Sequence, residues 1–261
     1  VIPHGITDGQ FYKLDKLECR RRLGIPEDSF VVFNGNRNQA RKRIDITIDA
    51  FAQFAVDKPT ARLYLHMGMK DQGWDIMNLF GRQMRRNGID PTNRIIMSTQ
   101  SNQPPSVPVE MLNVIYNACD VGVNTCKGEG HGLVNHEHAA CGVPQIVPNH
   151  TSCKEIFEGA GLLIDNLFTD VDMNYNRDMP VPSTSSLIEH LNTLYHNPEI
   201  YDRVATACYD RATDPKYQWD TIAQQFAAEF DSLFTPPEHK EVPIVKRPKR
   251  RKPSELAAAA K

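Results

Sequence analysis

Residues 129–144 read E-G-H-G-L-V-N-H-E-H-A-A-C-G-V-P, from Glu129 to Pro144. Two glutamates, Glu129 and Glu137, stand eight positions apart, and between them Gly130 and Gly132 flank His131. From Leu133 the pattern predicts a helix over 132–141, closed by Gly142, with Pro144 opening the next strand. Glycines ahead of a helix let backbone N–H groups approach an anion, and the positive end of the helix dipole favours it. One carboxylate before the helix and one just over a turn inside it can hold hydroxyls on either side of that anion. The segment therefore implies a site for a phosphate joined to two polyhydroxylated groups, a nucleotide-sugar.

Outward from this segment the chain alternates strand and helix. Short apolar runs over 29–34, 62–67, 94–98, 121–125, 145–147 and 161–164 read as buried strands. Helical spacing occupies 40–57, 74–87 and 108–119. Ser152 and Glu155 read as the capping box of a further short helix. This order predicts an α/β fold, a doubly wound parallel sheet with ligands beyond the carboxyl ends of its strands. Residues 166–182 are polar and turn-rich and read as a loop. Only helical patterns follow, one starting at Asn197-Pro198-Glu199 and one over 218–233.

The first strand runs into G-N-R-N-Q-A-R-K-R over 35–43, a loop with four cations. Fixed cations suit the negative charge that develops on a departing diphosphate. Cations at a helix start oppose its dipole and need a compensating role. Lys42 and Arg37 are the candidates for that role, with Gly35 at the turn, while Arg41 and Arg43 read as surface charges.

The 129–144 segment resembles the E-x7-E signature of retaining glycosyltransferases of the GT-B fold, family 4, usually written E-G-(F/W)-G-L-x-x-x-E-A-x-A-x-G-x-P. Glu129, Gly130, Gly132, Leu133, Glu137, Ala140, Gly142 and Pro144 match, whereas His131 and His138 replace the usual aromatic and alanine. The Arg37 to Lys42 spacing also fits, with Arg43 where the family has glycine. Val1 to Ile6, V-I-P-H-G-I, resembles the segment that enters the second, donor-binding domain of these enzymes. The resemblance covers roughly residues 1–234 and implies a Rossmann-like donor domain with C-terminal helices, and an N-terminal acceptor domain upstream. It implies transfer of a hexose from a nucleoside diphosphate to a hydroxyl acceptor (glycan, lipid or protein), with retention and without a metal. Lys42, Arg37 and Glu129 would be the catalytic set. Glu137 would hold the ribose, with Gly35, Gly130, His131, Gly132 and Leu133 lining the donor. His131 could touch the ligand or fill the aromatic's volume.

Other classes find less support. His136 and His138 are two apart on a helix, so they point about 200° apart and no metal is expected. Asp170-Val171-Asp172 is a D-x-D, the metal motif of the other major glycosyltransferase fold, but it lies in the polar 166–182 segment. There is no G-x-x-x-x-G-K-S/T, and no G-x-G-x-x-G after the first strand, against P-loop enzymes and dehydrogenases. The net charge is −2; residues 235–261 hold eight Lys or Arg against three Glu, a net of +5, leaving −7 for 1–234. An acidic body argues against nucleic acid as a partner. The Pro- and Lys-rich 235–261 reads as a disordered tail, either a solvated linker or, through K-R-P-K-R-R-K-P at 246–253, a nuclear-import or anion-binding patch. The six cysteines form no C-x-x-C, four lie in segments that read as buried or near-core, and reduced thiols in a cytoplasmic protein are expected. No transmembrane run or signal peptide is expected, and a chain beginning at Val1 reads as an excised fragment. The rival reading is a non-catalytic nucleotide-sugar-binding or partner-binding module with the same fold.

Overall fold

The computed structural model describes residues 1–172 and 176–234. The basic tail over 235–261 and residues 173–175 lie outside the described residues. Val1–Gln225 forms one compact unit; beyond it the second is described only as the end of the last helix.

Six strands form one parallel sheet: β1 Phe30–Asn34, β2 Ala61–Leu65, β3 Ile95–Met97, β4 Val121–Val123, β5 Gln145–Pro148 and β6 Leu162–Ile164. Their order is β3-β2-β1-β4-β5-β6. Right-handed crossovers place helices on both faces. These are α1 Lys16–Leu23, α2 Ile44–Phe54, α3 Ile76–Arg86, α4 Val109–Ala118, α5 Leu133–Ala140, α6 Thr151–Phe157, α7 Thr184–His196, α8 Pro198–Ala212 and α9 Trp219–Phe234. Helix α2 packs on α3 and α7, α1 on α4, and α5 on α8. Coverage on both faces explains why β1 is a continuous apolar run: Val31, Val32 and Phe33 are fully buried. Each such side chain contributes about 1.5–3 kcal/mol. All six cysteines are buried and unpaired. None of the described helices is long and apolar enough to cross a membrane.

The doubly wound sheet expected from sequence is therefore the sheet observed. Because β2 and β5 lie on opposite outer sides of the β1–β4 pair, the loops leaving β1 and β4 diverge and leave a crevice between them. Both sequence motifs sit on these two loops.

Three local readings are corrected. Within the segment read as a loop over 166–182, residues 166–172 and 177–182 are strands, and 173–175 lie outside the described residues. The two strands pair as an antiparallel hairpin, β7 Asn166–Asp172 and β8 Arg177–Pro182. Leu167, Phe168 and Val171 are all exposed, so no apolar face marks β7, and Pro180 and Pro182 fall where a strand reading would be abandoned. Second, 40–57 is not one helix. A 3-10 turn at Ala40–Lys42 is separated from α2 by Arg43 in the left-handed region (φ 48°). Arg43 stands where the resembled family has glycine, and the Thr125 hydroxyl donates to its carbonyl at 2.8 Å. Third, Ser152 does not cap α6. The helix starts one residue earlier and the Ser152 hydroxyl donates to the Glu129 carbonyl at 3.0 Å.

Candidate functional site

The crevice between β1 and β4 is built from small and amide side chains. At the end of β1, a Cβ on Gly35 would lie 2.7 Å from the Phe33 ring and 2.9 Å from Val134, so only glycine lets α5 approach. Asn36 folds back on Asn34, its backbone and side-chain N–H groups donating to Asn34 Oδ1 at 3.0 and 3.1 Å. The Asn34 amide donates to Thr47, and the Thr47 and Thr125 hydroxyls meet at 2.8 Å, tying α2 to the loop after β4.

This framework fixes Lys42. Its ammonium lies 3.0 Å from Asn36 Oδ1 and forms an ion pair with Glu129 Oε1. Both side chains are about nine-tenths buried. A pair so placed is close to neutral for stability compared with apolar residues of the same size, so stability does not explain its presence. Arg41, read from sequence as a surface charge, also belongs here. Its guanidinium donates to the Gly128 carbonyl and stands 3.7 Å from Glu129 Oε2. In an α-helix residues 41 and 42 would diverge by about 100°; the 3-10 turn and the kink at Arg43 bring both to Glu129. Arg37 is placed differently. It is half-exposed and makes a two-point pair with Asp71 at 2.7 and 3.1 Å, which lowers the pKa of Asp71.

Glu129 is held from behind by groups no motif signals. Its N–H donates to Thr151 Oγ1 at 3.2 Å, and Ser152 binds its carbonyl. Buried Asn124 reaches Glu129 Oε1 at 3.4 Å and Asn135 Oδ1 at 3.0 Å, and Asn135 continues to Gln145 at 2.9 Å. Gly130 is exposed with open space where a Cβ would stand, and Gly132 caps α5 with φ 83°. Leu133 is partly exposed at the helix start. Just after β5, Asn149 Oδ1 and His150 Nε2 are buried with no hydrogen-bond partner among the described residues, a pattern that suits a ligand-facing rim.

His131 lies against His4, His136 and Tyr217, and its Nε2 is 2.9 Å from His136 Nδ1. His136 Nε2 donates to the Ala212 carbonyl at 3.1 Å, so its Nδ1 accepts from His131. Burial lowers both pKa values to about 4. His138 turns the other way, to the Tyr116 carbonyl at 3.0 Å, and burial lowers its pKa to about 3. The two helix histidines thus serve different neighbours. The D-x-D carboxylates face Lys127, Asp170 at 2.7 Å and Asp172 at 3.6 Å. Among the described residues no group of three or more His, Cys, Asp or Glu could hold a metal ion.

Glu137 accepts from the Tyr116 hydroxyl at 2.8 Å through Oε2. Burial raises its pKa and that hydrogen bond partly offsets the rise. Thus Lys42, Glu129 and Arg41 converge, Gly35 brings the Glu137 helix against the same crevice, and Arg37 is engaged on the loop after β2. A cavity of about 280 Å³ adjoins the centre, lined by Arg41, Gly128, Glu129, Gly130, Thr151, Arg177 and Met179. A hollow of similar size around Ile25, Arg62 and Asn93 lies at the opposite, amino end of the strands.

Comparison with known proteins gives this constellation a lineage. The model of the family "Glycosyl transferases group 1" matches residues 28–170, which include both loops of the crevice. The chain is 31% identical over 150 residues to D-inositol 3-phosphate glycosyltransferase of Geodermatophilus obscurus, covering 56% of this chain and 32% of the relative. It is 26% identical over 235 residues to mannosylfructose-phosphate synthase of Agrobacterium fabrum, covering 87% and 46%. The chain therefore spans about a third to a half of these curated relatives. Among solved structures, sucrose-phosphate synthase of Thermosynechococcus elongatus superposes with TM-score 0.67 at 23% identity, over 89% of this chain and 52% of that one. The C-terminal domain of a glycosyl transferase group 1 protein of Francisella tularensis superposes with TM-score 0.64 at 17% identity, over 82% and 99%. At these identities the likeness carries the fold. With the family model matching more than half of its length, the chain belongs to the glycosyl transferases group 1 family.

Proposed function

We propose that residues 1–234 form the donor-binding half of a retaining glycosyltransferase. It moves a hexose from a nucleoside diphosphate to a hydroxyl acceptor, and a separate acceptor domain supplies the other wall of the cleft. The single observation that carries this reading is Lys42, buried between Asn36 and Glu129 at the carboxyl ends of β1 and β4. An ammonium has three donors; two are used, and the third is available to a diphosphate oxygen at the crevice. Glu129 keeps acceptor capacity for hydroxyls of the transferred sugar. Glu137 uses one oxygen for Tyr116 and has the other for ribose. Arg37 joins the phosphates by exchanging Asp71 for them, its exposed guanidinium turning from the loop after β2 into the crevice.

In the reaction the bond from the sugar's anomeric carbon to the diphosphate breaks, and the acceptor oxygen attacks from the same face. Its proton passes to the leaving phosphate oxygen, with Lys42 and Arg37 stabilising the charge that develops there. No step is assigned to a metal. The longer relatives support a missing acceptor half, and the Anabaena protein HepE, solved with UDP and glucose, has the same fold (TM-score 0.66, 22% identity). Six buried, unpaired thiols support a reducing, cytoplasmic setting.

The test is calorimetry with UDP, GDP and ADP. One of them should bind, and Lys42→Ala should weaken it tenfold or more, the loss of a charge-assisted hydrogen bond of about 1.5–3 kcal/mol. Equal affinity for both proteins would remove Lys42 from the site. Positioning of both reactants supplies about 7–11 kcal/mol of such a barrier, so residues 1–261 alone should transfer almost nothing. Robust turnover by this chain would contradict the two-domain assignment.

A further inference from the structure

The β7–β8 hairpin, the buried Lys127 and the D-x-D that faces it stand beside the donor crevice. They belong together. Lys127 is buried, two residues before Glu129, and its backbone N–H donates to the Arg41 carbonyl at 2.9 Å. Its ammonium crosses to the hairpin, at 2.7 Å from Asp170 and 3.6 Å from Asp172. One residue thus joins the β1 loop, the Glu129 loop and the hairpin. An isolated two-stranded ribbon is marginal in water, and this one is exposed along most of β7. Among the described residues, this ion pair and the buried Val181 at the base of β8 help to hold it against the site.

The consequence falls on the cavity beside Glu129. Its outer lining is Arg177 and Met179 of β8. A Cβ on Gly128 would stand 3.1 Å from the Met179 methyl, so that methyl rests on the residue preceding Glu129. The family match ends at residue 170, within β7, so both lining residues of β8 lie beyond it.

We propose that the β7–β8 hairpin is the wall that selects the transferred sugar. Met179 and Arg177 are its contacts, and Lys127 is the positioning residue that ties the wall to the Glu129 loop. The inference rests on the donor-site reading, because it takes Glu129 as the residue that meets the sugar. Met179 sets the room available to the sugar's substituents. The nucleoside and diphosphate lie on the other side of Glu129, towards Lys42 and Glu137, and are indifferent to the hairpin.

The experiment is calorimetry on the whole chain with the diphosphate that binds best, its glucose conjugate and its bulkier N-acetylglucosamine conjugate. Met179→Ala should leave the affinity for the free diphosphate within twofold and shift the preference between the two conjugates fivefold or more, towards the bulkier one. Lys127→Met should keep diphosphate affinity and blunt the preference, and Lys127→Arg, which keeps the charge, should restore it. Asp170→Asn with Asp172→Asn weakens the same tie from the hairpin side, should act like Lys127→Met, and covers the case in which Lys127→Met fails to fold. If the diphosphate binds but the Met179 and hairpin-aspartate variants leave the sugar preference unchanged, or move diphosphate and conjugates in parallel, the hairpin is not the selecting wall. If no diphosphate binds the wild-type chain, the donor-site reading fails and this inference falls with it.

Discussion

The loop from Asn124 to Gly132 and the β7–β8 hairpin meet at Gly128, and they are held by different forces. The loop is fastened by a dense set of short contacts: buried amides at Asn124 and Asn135, hydroxyls at Thr125, Thr151 and Ser152, and two cations on Glu129. The hairpin pairs its two strands with each other alone, leaves Leu167, Phe168 and Val171 exposed, and is drawn to the loop by the Lys127 ion pairs. Dense buried polar contacts make a segment rigid and costly to alter, whereas a ribbon with an exposed outer strand can change sequence at little cost to the fold. A catalytic centre needs the first property and a specificity wall tolerates the second.

The largest expected effect lies in the loop. Lys42→Ala leaves the Glu129 carboxylate buried with its main counter-ion gone, and breaking such a pair costs about 3–5 kcal/mol. Urea denaturation should show this loss, and the double variant Lys42→Ala with Glu129→Ala should recover much of it. An unchanged midpoint in Lys42→Ala would mean that the pair is solvated and the site looser than described.

Next comes pH. The folded pKa values of His131 and His136 are lowered to about 4 and that of His138 to about 3, all chiefly by burial. An unfolded histidine titrates near 6.5, so between these values the unfolded chain binds more protons. The stabilising contribution is full above about pH 6.5 and is lost as pH falls through about 4. For fully buried His138 the loss at pH 5 is on the order of 2 kcal/mol. Denaturation midpoints at pH 7.5 and 5 measure it, and a flat profile would contradict the buried, neutral assignment. The described hairpin residues include no histidine, so the effect belongs to the sheet, its loops and α5; burial also lowers the pKa of His150, to about 4, and that of His66.

The smallest effect is at the hairpin surface. Leu167 is 63% exposed, and Leu167→Ser should shift stability by no more than about 0.5 kcal/mol. A larger loss would show that β7 packs against something and that the contrast drawn above is too sharp.

The sequence made the sheet and the loop legible because their constraints are local. Only glycine fits at Gly35 and Gly132, one for close approach and one for a positive φ, and Glu129 and Glu137 are separated by a fixed number of helix residues. Fixed backbone geometry leaves fixed spacing, and spacing can be read. Arg41 was missed because its direction depends on a kink at Arg43 that no propensity signals. Lys127 was missed because its partners lie more than forty positions away, at Asp170 and Asp172, and nothing in either segment points to the other. The D-x-D is visible in the sequence, but its meaning depends on a lysine that only the fold brings to it.

The central claim is that Glu129 and Glu137 divide a nucleotide-sugar between them. Calorimetry of Glu129→Ala and Glu137→Ala, both first shown to be folded, tests it with a nucleoside diphosphate and its hexose conjugate. Glu137→Ala should weaken both ligands alike, by about 1–3 kcal/mol, because both contain ribose. Glu129→Ala should weaken only the conjugate by that amount, because it leaves Lys42 free to hold the diphosphate. Equal losses for both ligands in both variants, or no loss in either, would contradict the division and leave the two glutamates as features of a helix start.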